Sequence, residues 1–146
     1  MAVDLRSPEK KAHLRMEVIS TGEKAYPSVE VEVDLHVQGF AGRESLWLDH
    51  DSLKKFSALL DDLERTRKGR ADLTIDPDFR LSISAMDGSG HLLVEFVLIR
   101  HSFVGDRWKR VDLSVSGGFE LDPGTLPSVV AEFQDLGRVA RSSSRP

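Results

Sequence analysis

An α+β fold is predicted: an antiparallel β-sheet of about seven strands with two amphipathic helices packed on it. Three features of the chain predict it. Apolar and polar residues alternate with period two in several separate segments; two other segments carry apolar residues at helical spacing; and the links between segments are short and rich in Gly, Pro, Asp and Ser. The elements run strands, helix, strands, helix, and links this short suit antiparallel pairing.

Residues 1–12 are polar, with Pro8 and the pair Lys10–Lys11, and are expected to form a flexible N-terminal arm ahead of a single domain over 13–137. Leu14, Met16 and Val18 alternate with Arg15 and Glu17, giving a half-buried strand that ends at Thr21-Gly22-Glu23. The strongest signal follows. Val29, Val31, Val33, Leu35 and Val37 alternate with Glu30, Glu32, Asp34, His36 and Gln38, so one face points to a core and the other to water. Gly39-Phe40-Ala41-Gly42 reads as a turn, and Glu44 to Leu48 as the returning strand.

Leu53, Phe56, Leu59, Leu60 and Leu63 form the apolar stripe of an amphipathic helix. Asp49 and Asp51 at its start and Arg65, Arg67 and Lys68 at its end match the helix dipole, with Gly69 as the stop. Leu73 and Ile75 lead into the turn Asp76-Pro77-Asp78. Phe79 to Ala85 alternates again, and Asp87-Gly88-Ser89-Gly90 is a hairpin link. Leu92 to Ile99 is apolar on both faces apart from Glu95, which places it centrally with both faces covered. After a turn at Val104-Gly105-Asp106, Val111, Leu113 and Val115 form another half-buried strand, with a bulge or bend expected at Gly117-Gly118. Pro127 is tolerated only in a first helical turn, which favours Thr125 over Asp122 as the cap of a second helix carrying Leu126, Val129, Val130, Phe133 and Leu136. Residues 138–146, with three consecutive serines, read as a flexible tail.

Composition narrows the function classes. The 146 residues are 40% apolar and 30% charged, ordinary for one globular domain. Cysteine is absent, so disulfides, thiolate nucleophiles and cysteine-based metal sites are excluded. The first residues lack the apolar core of a signal peptide, and no apolar run approaches the roughly 18 residues of a membrane span, so a cytoplasmic protein without a membrane partner is expected. A formal charge of −4, with basic residues scattered, argues against nucleic acid as the direct partner.

No catalytic or cofactor-binding constellation can be assembled. Glycine-rich nucleotide loops, Gly-x-Ser-x-Gly and His-x-x-x-His are absent. Asp49-His50-Asp51 is explained by helix capping. His36 and His91 fall on predicted strands and could meet across a sheet, but a solvated or singly hydrogen-bonded histidine is the simpler account of each, and no metal ligand set is assigned. Trp47, between Leu46 and Leu48, reads as a core residue; Trp108, between Arg107 and Lys109, as either core or contact. Glu30, Glu32 and Asp34 repeat about 6.7 Å apart on one strand face, a like-charged row that is either a solvated surface or a partner-binding strip for Lys and Arg of a basic protein.

The stretch Val37-Gln-Gly-Phe40-Ala-Gly42, then Leu46-Trp-Leu48, then Leu53-x-x-Phe56-x-x-Leu59-Leu60-x-x-Leu63, resembles the WapI-type immunity proteins of bacterial polymorphic-toxin systems. So does Gly69-Arg-Ala71-x-Leu73 followed by Leu81-x-Ile83 and Gly90-His91-x-Leu93-Val94. The likeness runs from about Leu14 to Leu136 and consists of turn glycines, strand alternation and one helix. It implies a non-catalytic protein that binds and neutralises a cognate toxin domain; no family binding residues carry over to positions here. The expected function is therefore protein binding, with a toxin domain as partner. The alternative is a small-ligand or enzymatic site between sheet and helices near His36, His91 and Trp47, and a homodimer joined through the sheet is a third arrangement.

Overall fold

The computed structural model describes residues 1–75 and 77–143. Its strands are β1 (Ala2–Arg6), β2 (His13–Thr21), β3 (Ser28–Val37), β4 (Phe40–Asp49), β5 (Arg70–Ile75), β6 (Phe79–Ala85), β7 (Leu92–Val104) and β8 (Lys109–Leu121). Helix α1 spans His50–Thr66 and α2 spans Leu126–Arg141, the latter after a 3-10 turn at Pro123–Thr125. The strands form two four-stranded antiparallel sheets, ordered β1-β2-β3-β4 and β5-β6-β7-β8. The α+β class with antiparallel strands and two helices is as expected; the sheet is divided into two, and the described residues form eight strands.

The additional strand is β1. The polar stretch 1–12 does not lie loose: Ala2–Arg6 pairs with β2 from Ala2↔Glu17 to Arg6↔His13, and Val3 and Leu5 are fully buried. Only two apolar residues alternate there, too few for a period to stand out beside Pro8 and the lysines. The backbone N–H of Asp122 donates to the carbonyl of Arg6 at 3.0 Å, tying β1 to the end of β8. The expected tail is also largely engaged. Helix α2 reaches Arg141, and the Ser143 hydroxyl bridges the backbone of Ser28 by accepting from its N–H at 3.0 Å and donating to its carbonyl at 2.9 Å. Residues 144–146 and Asp76 of the expected Asp76-Pro77-Asp78 turn lie outside the described residues.

One face of each sheet turns inward. Leu14, Met16, Val29, Val31, Val33, Leu35, Leu46 and Leu48 of the first sheet join Leu73, Phe79, Leu81, Ile83, Leu92, Val94 and Phe96 of the second in one contiguous core. The helices complete it with Leu53, Phe56, Leu60 and Leu63 from α1 and Val129, Val130, Phe133 and Leu136 from α2. Phe56 and Phe133 meet edge to face, centroids 4.8 Å apart, where the helices touch. Leu59, counted in the α1 stripe from spacing, is exposed on its flank.

Local chemistry sets the element ends. Gln38 and Gly39 both take positive φ, 51° and 84°, so β3 and β4 join through a two-residue primed turn and Phe40 already belongs to β4. The turn expected at Gly39–Gly42 is therefore shorter and earlier. Asp49 caps α1, its carboxylate accepting from the Ser52 N–H at 2.9 Å. At the other end Arg67 itself takes the left-handed conformation and donates to the Leu63 carbonyl, two residues before Gly69. Thr125 stands at the cap position of α2 without a side-chain cap bond. It is Asp122 whose carboxylate caps the preceding 3-10 turn, accepting from Gly124 N–H at 3.1 Å. Gly117-Gly118 makes no bulge, because β7 and β8 stay in register from Leu92↔Leu121 to Val104↔Lys109. Glycine is required at 118 for another reason: a Cβ there would stand 2.6 Å from the Val94 carbonyl oxygen. The bulge that does occur lies in β2, between Val18 and Ser20.

Burial opposes ionisation of Asp49, but hydrogen bonds from Ser52 and the nearby Lys55 outweigh it and hold the carboxyl below its ordinary value. Asp49→Ala is expected to cost about 1 kcal/mol of stability at neutral pH, as loss of an N-cap does. Because the folded-state value is depressed, the capping contribution is complete above the unfolded-state pKa and is lost as pH falls through the folded one. Urea unfolding of the protein and the variant at pH 7 and pH 3 checks both points: the gap between them should narrow in acid.

Candidate functional site: the outer face of the first sheet and the β7–β8 arm

Two surfaces remain once the core is filled. The first is the outer face of the β1–β4 sheet, which holds Glu30, Glu32 and Asp34 in a row on β3, all half-buried. The register decides what each carboxylate meets. Glu30 lies between Ser20 and Trp47, Glu32 between Glu17 and Ser45, and Asp34 between Arg15 and Arg43. The Ser20 hydroxyl donates to Glu30 Oε1 at 2.8 Å. A single guanidinium, that of Arg43, serves two of the three: its Nε stands 3.6 Å from Glu32 and its terminal nitrogen 3.7 Å from Asp34. With Glu17 opposite Glu32, the row keeps an excess of negative charge despite Arg15 and Arg43.

Trp47 is on this outer face, 43% exposed, while its neighbours Leu46 and Leu48 are buried. The core placement expected for it is corrected by parity: on a strand, flanking residues that face the core turn the one between them outward. His36 is also exposed here and stacks against His13, ring centroids 5.1 Å apart. His91 does not join it. That residue stands beside β7 in the other sheet, its Nδ1 3.1 Å from an Asp87 carboxylate oxygen. His36, His91 and Trp47 therefore line no common site between sheet and helices.

The second surface is the hairpin β7–β8, whose strands of 13 residues each outrun the other strands of their sheet. Register shows how far. The partner strand β6 pairs with β7 only from Leu92 to Leu98, and past the Ile99 N–H, which donates to the Asp78 carbonyl at 2.9 Å, the strand residues from Arg100 to Leu113 pair with each other alone. They form an arm. The inward-facing row of β8, which begins at Leu121 and Phe119 in the core, continues through Val115 to Leu113 and Val111 where no core remains to cover it. Leu113 is 57% exposed, and Phe103, Val104 and Val111 are exposed with it. The central placement with both faces covered that the Leu92–Ile99 run suggested holds on one face only: Leu92, Val94, Phe96 and Leu98 are buried, whereas Leu93, Val97 and Ile99 are half-covered.

At the tip Trp108 is 75% exposed and adopts φ of 53°. A bulky residue in the left-handed region is strained, at a cost on the order of 1–2 kcal/mol. The conformation holds the indole beside Phe103, ring centroids 6.2 Å apart, in a position that contributes nothing to the core. Arg107, Lys109 and Arg110 flank it.

The arm is braced on both sides. On its outer face His101 Nε2 lies 2.9 Å from Asp78 Oδ1 and its Nδ1 3.1 Å from Asp112 Oδ1, while Arg110 Nε donates to the same Asp112 oxygen at 2.9 Å. Hydrogen bonds from Arg110 and His101 hold the Asp112 carboxyl below its ordinary value. On its inner face Arg100 reaches the first sheet, donating to Glu44 Oε2 at 2.5 Å and to the Arg43 carbonyl at 2.6 Å. Between arm and sheet lies a groove of about 420 Å³ lined by Ala41, Gly42, Leu98, Arg100, Leu113 and Val115. Arg43 thus joins the two surfaces, its backbone bonded to the arm and its side chain to the acidic row. The arm leaves no mark in the sequence, because alternation in β7 and β8 continues unchanged past the point where pairing with β6 stops.

No family model and no curated protein matches the sequence. Among solved structures, the chain is similar to a chain of the trypanosoma bruciei MRP1/MRP2 structures, with 14% identity over 96% of this chain and 79% of that one and a TM-score of 0.42. It is also similar to a chain of the CdiA-CT/CdiI toxin and immunity complex from Enterobacter cloacae, with 15% identity over 93% of this chain and 99% of that one and a TM-score of 0.35. No helix among the described residues is long and apolar enough to cross a membrane.

Proposed function

We propose that this chain is a non-catalytic protein-binding domain, and that its partner is a toxin domain that it neutralises in the manner of an immunity protein. The observation that carries the binding reading is the β7–β8 arm, which holds Phe103, Val104, Trp108, Val111 and Leu113 out of a fold that otherwise has a filled core. Exposed apolar side chains gathered on one projecting hairpin, here on both of its faces, mark an interaction site. A strained, exposed tryptophan at its tip has the size and rigidity of an interface anchor. The immunity reading draws on the sequence resemblance. In it the partner offers an apolar pocket to Trp108 and Leu113, and Lys or Arg side chains to the residual negative charge of Glu30, Glu32 and Asp34.

The test is calorimetric titration of this protein with the toxin domain that a pull-down from the native cell is expected to recover. Trp108→Ala with Leu113→Asp is expected to weaken binding by about 2 kcal/mol or more, roughly thirtyfold, the loss typical of an interface anchor. Neither side chain supports the core, so thermal unfolding should be unchanged or improved. Glu30→Lys with Glu32→Lys is expected to weaken binding chiefly at low salt. Undiminished binding by the arm variant would remove the arm from the interface; undiminished binding by the charge variant would remove the acidic row alone.

A further inference from the structure

We infer that His13, Asp34 and His36 form a site for a borderline divalent transition metal, Zn²⁺ or Ni²⁺. The site is a product of strand register. His13 of β2 pairs directly with His36 of β3, and Asp34, two residues earlier on β3, projects from the same outer face. The two imidazole rings are tilted by 34° with centroids 5.1 Å apart, and His13 Nε2 lies 4.0 Å from Asp34 Oδ2. One donor atom from each residue can be chosen so that all three lie within 4.8 Å of one another.

Bond lengths of about 2.0–2.2 Å in a tetrahedral shell place donor atoms about 3.4 Å apart. The three groups therefore need to close by up to about 1.4 Å, within reach of side-chain rotation on a fixed ladder. Two imidazoles and one carboxylate suit Zn²⁺, Ni²⁺ or Cu²⁺; Mg²⁺ and Ca²⁺ prefer oxygen alone. His36 is exposed and gives the ion access, and the fourth position stays open to water. Arg15, opposite Asp34 across the ladder and 3.9 Å from Asp4, adds positive charge nearby, and the group that opposes binding most directly is the Arg43 guanidinium 3.7 Å from Asp34. It has an alternative partner in Glu32 at 3.6 Å, so an arriving cation can displace it along the row instead of leaving it unpaired. Asp34 also belongs to the acidic row of the docking reading, but His13 and His36 do not, so the His36 variants test the metal site separately from docking.

Titration of the chelator-treated, full-length protein with zinc sulfate and with nickel chloride tests it, followed by calorimetry and by proton–nitrogen NMR of the imidazoles. One-to-one binding is expected, with the signals of His13 and His36 shifted and those of His91 and His101 unchanged. His36→Ala and His36→Gln each alter only an exposed side chain, and each is expected to lower affinity more than tenfold. That threshold is the lower end of the roughly 10–100-fold cost of disturbing even an outer partner of a metal ligand. His91→Ala should bind as the parent does. Zn²⁺ should also raise the thermal midpoint of the parent and not that of the His36 variants. Absence of binding to either ion, or equal binding by the His36 variants, overturns the site.

Discussion

Replacing both Val3 and Leu5 by alanine is expected to destabilise this protein by about 4 kcal/mol or more, a large part of the 5–15 kcal/mol that typically holds a domain folded. Both side chains are fully buried in the common core, and both sit on β1, the outermost strand of the first sheet. A buried leucine cut to alanine costs about 2–5 kcal/mol because the lost transfer energy is joined by that of the cavity left behind. Valine loses less. The two sites are neighbours on one face of one strand, so their effects need not add strictly. A further loss follows if β1 detaches, because the Asp122 N–H then loses its acceptor on Arg6 and the Asp4 N–H loses the Glu132 carboxylate of α2. Chemical unfolding monitored by circular dichroism measures the effect. If residues 1–12 were a loose arm, the same substitutions would change stability by less than about 0.5 kcal/mol, as exposed positions do; that outcome would refute the strand.

Phe133→Ala is expected to cost about 3–5 kcal/mol. Phe133 is wholly buried and meets Phe56 edge to face at the contact between α1 and α2. It therefore joins the second helix to the first as well as filling space. Edge-to-face pairs contribute about 0.5–1.5 kcal/mol beyond burial, so a double-mutant cycle with Phe56→Leu and Phe133→Leu should return a coupling of that size. Leu59→Ala is the internal comparison. The leucine lies in α1 with Phe56 and by spacing belongs to that helix's stripe, yet it is exposed, and its loss should change stability by no more than about 0.5 kcal/mol. Equal effects at Phe133 and Leu59 would mean that α1 and α2 do not meet along this seam.

Much of the fold is legible in the chain because it depends on neighbours in sequence. The alternation from Val29 to Val37 is enough to know that Glu30, Glu32 and Asp34 share a face, and they do. Asp49 ahead of the Leu53–Leu63 stripe is enough to place a capped helix start. Trp47 shows the limit of reading by surroundings: Leu46 and Leu48 suggested an apolar neighbourhood, whereas strand parity sends the ring between them to water. Residues 1–12 show another. A strand with two apolar residues has no period to detect, and its partner β2 supplies the reason to form.

The site is less legible than the fold. His36 was paired in expectation with His91, which belongs to the other sheet; its neighbour across the ladder is His13. Charge alone marked the acidic row, but how much of that charge survives depends on Arg15 and Arg43 arriving from β2 and β4. The arm was not anticipated at all, because whether Val111 and Leu113 are core or surface depends on where β6 ends.

The α+β class, the two faces of β3, the two amphipathic helices and the Asp49 cap of the first are legible in the chain alone, since period and capping act over a few residues. Long-range assembly settles that the strands divide into two sheets, that β1 joins them, that His13 stands against His36, and that the end of the β7–β8 hairpin is left uncovered. Those outcomes follow from strand register and from the length at which each partner strand stops. Both are set by long-range packing of complementary faces, which residues nearby in sequence do not encode.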